Sequence, residues 1–252
     1  MPEGPSIVIL KHAAAKFAGH TVRAVSGNSK QDLDRMDGQR VLALSSWGKH
    51  FLIAFDGFAM RVHFLLFGSY RIDEDKIGKD GTLTPPRMRL VFDNGEFNFY
   101  ACSLKYIEGG LDDTYDWSRD VMADAWDPKQ ARRKLKAHPQ MLVADALLDQ
   151  DIFAGVGNII KNEVLFRIRV HPESTIGALP PRKLTELIKQ AREYSFDFLA
   201  WKQAYVLRQH YQVHTKTTCP RDGNRLTYRK HLGRAQRRAF FCDVCQRRYA
   251  SQ

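Results

Sequence analysis

The sequence predicts an α+β, multidomain protein: an N-terminal antiparallel β-sandwich with a leading helix, a helical domain, and a small basic C-terminal module. Three observations predict it. Short β-rich runs from Gln39 to Tyr106 are punctuated by Asp56-Gly57 and Asn94-Gly95, pairs that read as hairpin turns. Beyond residue 127 apolar residues recur at helical spacing. Three of the four cysteines (Cys219, Cys242, Cys245) crowd into the last 37 residues. The expected boundaries are 1–112, a linker at 113–127, 128–215 and 216–252.

In order, Ile7, Leu10, Ala14 and Phe17 share one face of a helix that Gly19 ends. The β runs follow: Val41 to Leu44, Phe51 to Phe55, Ala59 to Leu66, Met88 to Phe92 and Glu96 to Tyr100. Gly109 to Trp117, rich in Gly and Asp, reads as a connector. Asp127-Pro128 supplies a cap and first-turn pair for a helix through Lys136, and Met141 to Leu148 forms another apolar segment. Pro180-Pro181 opens a long amphipathic helix whose Leu184, Leu187, Ile188, Ala191, Tyr194 and Phe198 face inward. Asp73 to Thr84 and Gly109 to Asp124 are irregular and carry no assigned role.

Hydrophobic residues make up 44% of the chain and charged ones 27%, which excludes wholesale disorder and fibrous repeats. The longest apolar stretches are too short to span a bilayer, and with no charged-then-apolar leader at the start the expected place is the cytosol, off the membrane. A net charge of +11 calls for a polyanionic partner. Residues 216–252 hold ten Lys or Arg against two Asp, so this tail carries 10 − 2 = +8 of that charge, interleaved with Tyr228, Phe240, Phe241 and Tyr249. Nucleic acid fits this better than a merely solvated face. In a reducing compartment, a Cys-x-x-Cys pair among basic residues points to zinc rather than a disulfide. Cys102 reads as a small buried hydrophobe.

Several segments carry chemistry. Trimming Met1 from Met1-Pro2-Glu3-Gly4-Pro5 leaves Pro2 with a free secondary amine, whose pKa of about 8 keeps far more of it unprotonated than a lysine at about 10.4. Such an amine can form an iminium with a sugar carbon, and Glu3 can move protons beside it; a glutamate there also suits a helix start. Lys49 follows a glycine between two β runs and can protrude to meet a phosphate, as any surface lysine can. Gly155-x-Gly157-Asn158 joins two helices and fits either a phosphate at the second helix's positive end or a plain helix cap. His63 to Gly68 reads as a buried strand or as an apolar wedge.

Taken together, these segments resemble the formamidopyrimidine-DNA glycosylase and endonuclease VIII family, nearly end to end. Met1 to Pro5 is similar to its opening, and Ser46 to Leu52 to the strand turn bearing its catalytic lysine. Asp149-Gln150 with Gly155 to Ile159 is similar to its helix-two-turn-helix, and Ala235-Gln236-Arg237 ahead of Cys242 and Cys245 to its zinc-finger hairpin. The resemblance implies catalytic roles for Pro2, Glu3 and Lys49, and places Asn158 and Arg237 on the DNA backbone. It makes Leu65, Leu66 and Phe67 the wedge that fills the hole left by a flipped-out nucleotide. Glu163 resembles a family glutamate that lies near the proline. The implied partner is duplex DNA bearing an oxidised base or an abasic site, bound by a monomer.

The sequence departs from the family at three places. Cys219-Pro220-Arg221-Asp222 replaces the first Cys-x-x-Cys pair, leaving three thiolates for a structural zinc that wants four ligands. Asp222 occupies the vacant position, with His214 or His231 as alternatives. Ser6 stands where a further glutamate is common. Tyr100 to Tyr106 lacks the Arg-Arg-Phe signature of the purine-directed branch, which favours the endonuclease VIII branch and oxidised pyrimidines. The implied function is a glycosylase and abasic-site lyase of base excision repair; the alternative is a damaged-DNA binder with little or no catalysis.

Overall fold

Pro5 sits in the first turn of a helix, where its missing N–H has no helical partner to lose, and α1 runs Gly4–Ala13. The computed structural model describes residues 2–78 and 81–250; Met1, expected to be trimmed, and Lys79 and Asp80 in the expected irregular stretch lie outside them. Two units divide the chain, Met1–Asp116 and Trp117–Gln252.

In the first unit, six strands form one antiparallel sheet in the order β1-β5-β6-β4-β3-β2. They are β1 (Ala24–Ser26), β2 (Ala43–Trp47), β3 (His50–Ala54), β4 (Phe58–Ile72), β5 (Met88–Phe92) and β6 (Gly95–Glu108). β2 begins later than the Val41 to Leu44 run, because Val41 bonds through its N–H and C=O to His20 and Gly19 instead of joining the ladder. Asp56-Gly57 turns β3 into β4 as expected. The β5–β6 turn falls on Asp93-Asn94, since Gly95 already pairs with Phe92.

One hydrogen-bonded sheet makes a sandwich here because β4 and β6 are long enough to fold back. Phe51 on β3 pairs with Val62 and, through it, faces Leu104 on β6. Phe99 lies five residues (104 − 99) further along, about 17 Å away on a flat sheet. Yet the Phe51 and Phe99 rings are 6.1 Å apart. Phe51, Met60 and Val62 thus meet Leu90, Phe97 and Phe99 in one buried core, closed by Ile7, Leu10 and Phe17 from the leading helix segment.

The ribbon also carries a large bulge. Phe64 pairs with Cys102 and Ser69 with Tyr100, so Leu65, Leu66, Phe67 and Gly68 stand opposite Ala101 alone. Gly68 closes it: a Cβ there would lie 2.7 Å from the Phe64 Cβ and 2.9 Å from the Ala101 oxygen.

After a short α2 (Leu111–Thr114) the second unit is helical: α3 (Pro128–Ala137), α4 (Val143–Leu148), α5 (Asn158–Arg167) and α6 (Pro181–Gln203). Asp127 caps α3 by accepting the Lys129 N–H at 2.8 Å. All six apolar residues expected to face inward on α6 are buried, with Leu184, Leu187, Ile188 and Phe198 each contributing roughly 1.5–3 kcal/mol. The hairpin β7 (Thr227–Leu232) and β8 (Arg237–Phe241) sends Leu232, Ala239 and Phe241 into this same core, so it packs as part of the helical unit. Among the described residues no helix is long and apolar enough to cross a membrane.

Because the bulge is closed by backbone rather than by a flexible side chain, Gly68→Val should cost about 1–3 kcal/mol. Thermal unfolding checks this: the midpoint should fall by several degrees, whereas an unchanged midpoint would mean the bulge is not packed as described.

Candidate nucleic-acid interface

Pro2 is half-buried and Glu3 only 4% exposed, at the head of α1. The Glu3 carbonyl accepts the Ser6 N–H at 2.8 Å, but its carboxylate does not cap the helix. A buried acid therefore lies next in sequence to the half-buried proline. The helix packs on β2 and β3, the strands joined by Gly48-Lys49. Gly48, at φ +54°, takes the first position of this two-residue turn, a geometry that suits the sheet twist and that side chains resist. Lys49 follows it, half-buried.

Aromatic and imidazole groups stiffen that turn. The Trp47 indole N–H donates to the Asp116 carbonyl at 3.0 Å, and the Tyr115 hydroxyl lies 3.2 Å from His50 Nδ1. The His50 and His63 rings meet edge to face at 5.4 Å. Burial, reinforced by Arg61, His63 and Lys49, pushes His50 down to about 3, and His63 is lowered by burial first and Arg61 next. At neutral pH both rings are uncharged, which leaves the cationic groups here to Lys49 and Arg61.

Leu65, Leu66 and Phe67, the residues expected as a wedge or a buried strand, lie exposed in the bulge of β4. Leu65 is 48%, Leu66 53% and Phe67 81% exposed, an apolar tip of the kind that intercalating proteins place between base steps.

In the second unit Gln150 builds the loop ahead of α5, accepting the Gly155 N–H at 3.1 Å and donating to the Leu148 and Val156 carbonyls at 2.7 and 3.2 Å. Asn158 is the first residue of the helix, and its Oδ1 accepts from Lys161 Nζ at 2.9 Å. Glu163 is 1% exposed and accepts the N–H groups of Gln212, Val213 and His214 at 3.0, 3.0 and 2.7 Å. Burial pushes its carboxyl up against the opposing pull of those three bonds. Within this unit its work is to hold the 212–214 backbone.

Arg237, half-buried, opens β8 just after the hairpin turn. At the other end of the hairpin Cys219, Asp222, Cys242 and Cys245 bring one ligand atom each within 4.8 Å of one another. The fit to a tetrahedral ion is close: two sulfurs bound to zinc lie about 3.8 Å apart, and Cys219 Sγ and Cys245 Sγ are 3.8 Å apart. The Cys242 thiol donates to Asp222 Oδ2 at 3.2 Å, so the carboxylate lies beside the three sulfurs. His214 instead faces Asn162 at 3.0 Å, and His231 is exposed on β7. The four residues can hold a metal ion.

Sequence reasoning assigned no role to Gln150 or Lys161. A signal existed for the latter: Lys161, Asn162 and Glu163 are three consecutive polar residues inside a helix flanked by apolar ones, an arrangement that needs internal partners.

Comparison with known proteins agrees with this architecture. The formamidopyrimidine-DNA glycosylase N-terminal domain model matches residues 1–102, and the corresponding H2TH domain model matches residues 118–194. Endonuclease 8-like 2 of Bos taurus is 33% identical over 202 residues, covering 76% of this chain and 59% of that protein. Endonuclease 8-like 3 of Xenopus laevis is 29% identical over 90% of this chain, which spans only 38% of that relative's length. Formamidopyrimidine-DNA glycosylase of Carboxydothermus hydrogenoformans is 26% identical over 98% of this chain and 100% of that protein. Among solved structures, the Lactococcus lactis formamidopyrimidine-DNA glycosylase bound non-covalently to DNA containing an abasic site has the same fold. Its TM-score is 0.83 at 20% identity, covering 98% of this chain and 100% of that one.

The lowered His50 pKa sets a pH dependence. An unfolded His50 takes up a proton near pH 6.5 while the folded one resists until about 3, so its stability contribution is full above 6.5 and drains away as pH falls through that window. Thermal midpoints measured from pH 7 to 5 should fall, and His50→Gln should flatten the slope. An unaltered slope would show that His50 titrates normally.

Proposed function

Because the chain belongs to the formamidopyrimidine-DNA glycosylase and endonuclease VIII family, we propose that it excises oxidised bases, mainly pyrimidines, from duplex DNA with an N-terminal proline as nucleophile. The observation that carries the reading is the buried Glu3 beside Pro2, at the head of a helix that packs on the two strands bearing Lys49. A carboxylate next in sequence to the amine is placed where it can move protons.

In the proposed reaction the Pro2 nitrogen, freed by removal of Met1, attacks C1′ of the damaged nucleotide. The glycosidic bond breaks, and the base leaves with a proton that Glu3 manages. Protonation of O4′ then lets the C1′–O4′ bond break, opening the sugar and leaving an iminium on C1′; the iminium acidifies the C2′ hydrogens, so loss of one proton expels the 3′ phosphate, and a second elimination expels the 5′ phosphate. Lys49 contacts the phosphates flanking the lesion. Leu65, Leu66 and Phe67 fill the space the evicted nucleotide leaves, while Asn158 and Arg237 hold the backbone. The missing Arg-Arg-Phe signature between Tyr100 and Tyr106 supports the pyrimidine preference. The protein works as a monomer in the compartment that holds the DNA.

Cys219, Cys242, Cys245 and Asp222 would hold one zinc ion. Its contribution is structural: it neutralises thiolates that burial disfavours, as at Cys242, where burial pushes the thiol up.

Two measurements test this reading. Borohydride added during incubation with duplex DNA containing an abasic site should give a covalent protein–DNA complex, and its absence would leave only a damaged-DNA binder. Elemental analysis of the purified protein should find about one zinc per chain. That zinc should be lost in Cys242→Ser and kept in Asp222→Cys; zinc retained in Cys242→Ser would contradict the ligand set.

A further inference from the structure

The cysteine cluster lies at one end of the β7–β8 hairpin and Arg237 at the other. Four residue steps along β8 lead from Arg237 to Phe241, beside Cys242, about 13 Å of extended chain. The ladder between them is irregular, with a register shift between Arg229 and Leu232. A metal at the cysteine end is thus separated from Arg237 by that length of irregular ladder.

Two side chains from the helices reach the turn instead. Asp145 on α4 accepts the N–H of Arg234 through Oδ2 at 2.8 Å and of Ala235 through Oδ1 at 3.0 Å. The turn approaches so closely that a Cβ on Gly233 would lie 2.4 Å from Asp145 Oδ1. From α5, Lys161, 1% exposed, donates to the carbonyl of Arg238 at 2.9 Å, while the same Nζ donates to Asn158 Oδ1 at 2.9 Å. Arg237 is thereby gripped on both sides: its upstream neighbours by a carboxylate, its downstream neighbour by a buried amine. That amine also holds Asn158.

We infer that Asp145 and Lys161 are positioning residues that lock Asn158 and the turn carrying Arg237 into one preassembled phosphate-binding unit. The inference rests on the DNA-binding reading given above. Carboxylate-to-N–H bonds are among the stronger hydrogen bonds. A guanidinium aimed before DNA arrives also spares the ordering cost that a free side chain incurs on binding. The partner is the sugar–phosphate backbone and not a base, so loss of either residue weakens binding to every sequence alike and lowers its salt dependence.

The test is a double-mutant cycle read by DNA affinity, using duplex DNA with a stable abasic-site analogue, with zinc content and the unfolding midpoint measured on each variant. Asp145→Ala should weaken binding about tenfold and reduce the slope of log affinity against log salt by about 1, yet cost less than about twofold when Arg237 is already Ala. Lys161→Met should behave likewise and become silent once both Asn158 and Arg237 are Ala. Asp145→Asn, which keeps one acceptor and suits the case that the alanine variant fails to fold, should recover part of the loss. A purely structural role would lower the active fraction without changing the salt slope, and its effect would persist in the Arg237→Ala background; either result overturns the inference. Wild-type protein that does not bind the DNA at all would overturn the parent reading as well, whereas tight wild-type binding with an additive cycle would sink this inference alone.

Discussion

Backbone polar groups at irregular turns need partners, and in this chain side chains from neighbouring elements bond to the backbone close to three proposed DNA-facing groups. Gln150 satisfies three backbone groups of the loop before Asn158. Asp145 holds two N–H groups of the turn before Arg237. Trp47, bonded to the Asp116 carbonyl, stiffens the turn that presents Lys49. Each such bond contributes about 0.5–1.5 kcal/mol net and favours one turn conformation among the many available to an exposed loop. An apolar core supports these bonds but could not choose among the conformations, because hydrophobic burial has no direction.

The bulge of β4 follows a different rule. Its tip is apolar and exposed, which in isolation is a solubility cost, and it is held by a steric device: a glycine admitted between Phe64 and the Ala101 carbonyl. Ala101 itself adopts φ +48° to face the bulge. Strain of this kind persists only where the surrounding sheet imposes it, and the paired strands on either side do so. An exposed Phe67 above this closely packed backbone suits the wedge proposed for it.

Much of this fold was legible in the sequence because its signals are local. Asp127-Pro128 announced a capped helix, the stripe from Leu184 to Phe198 announced its buried face, and Asp56-Gly57 announced a hairpin. Each depends only on residues within a few positions. The devices that orient the site were not legible, because their partners are far apart in the chain: 89 residues separate Asp145 from Arg234, and 77 separate Lys161 from Arg238. Asp145 looked like one acid in an otherwise apolar segment. The segment from Leu65 to Phe67 was ambiguous between buried strand and exposed wedge because a bulge keeps strand-like composition. The fourth donor was ambiguous because spacing offered Asp222 and chemistry offered a histidine; in the fold it is Asp222 that lies among the three cysteines.

Central to the proposed chemistry is that one particular nitrogen, the ring amine of Pro2, bonds to the sugar. Reducing the complex with borohydride, digesting both polymers and sequencing the modified peptide by tandem mass spectrometry reads that bond directly. The account predicts a deoxyribose remnant on the peptide that begins with Pro2, on its backbone nitrogen. The same remnant on the side chain of Lys49 or of any other lysine would contradict it.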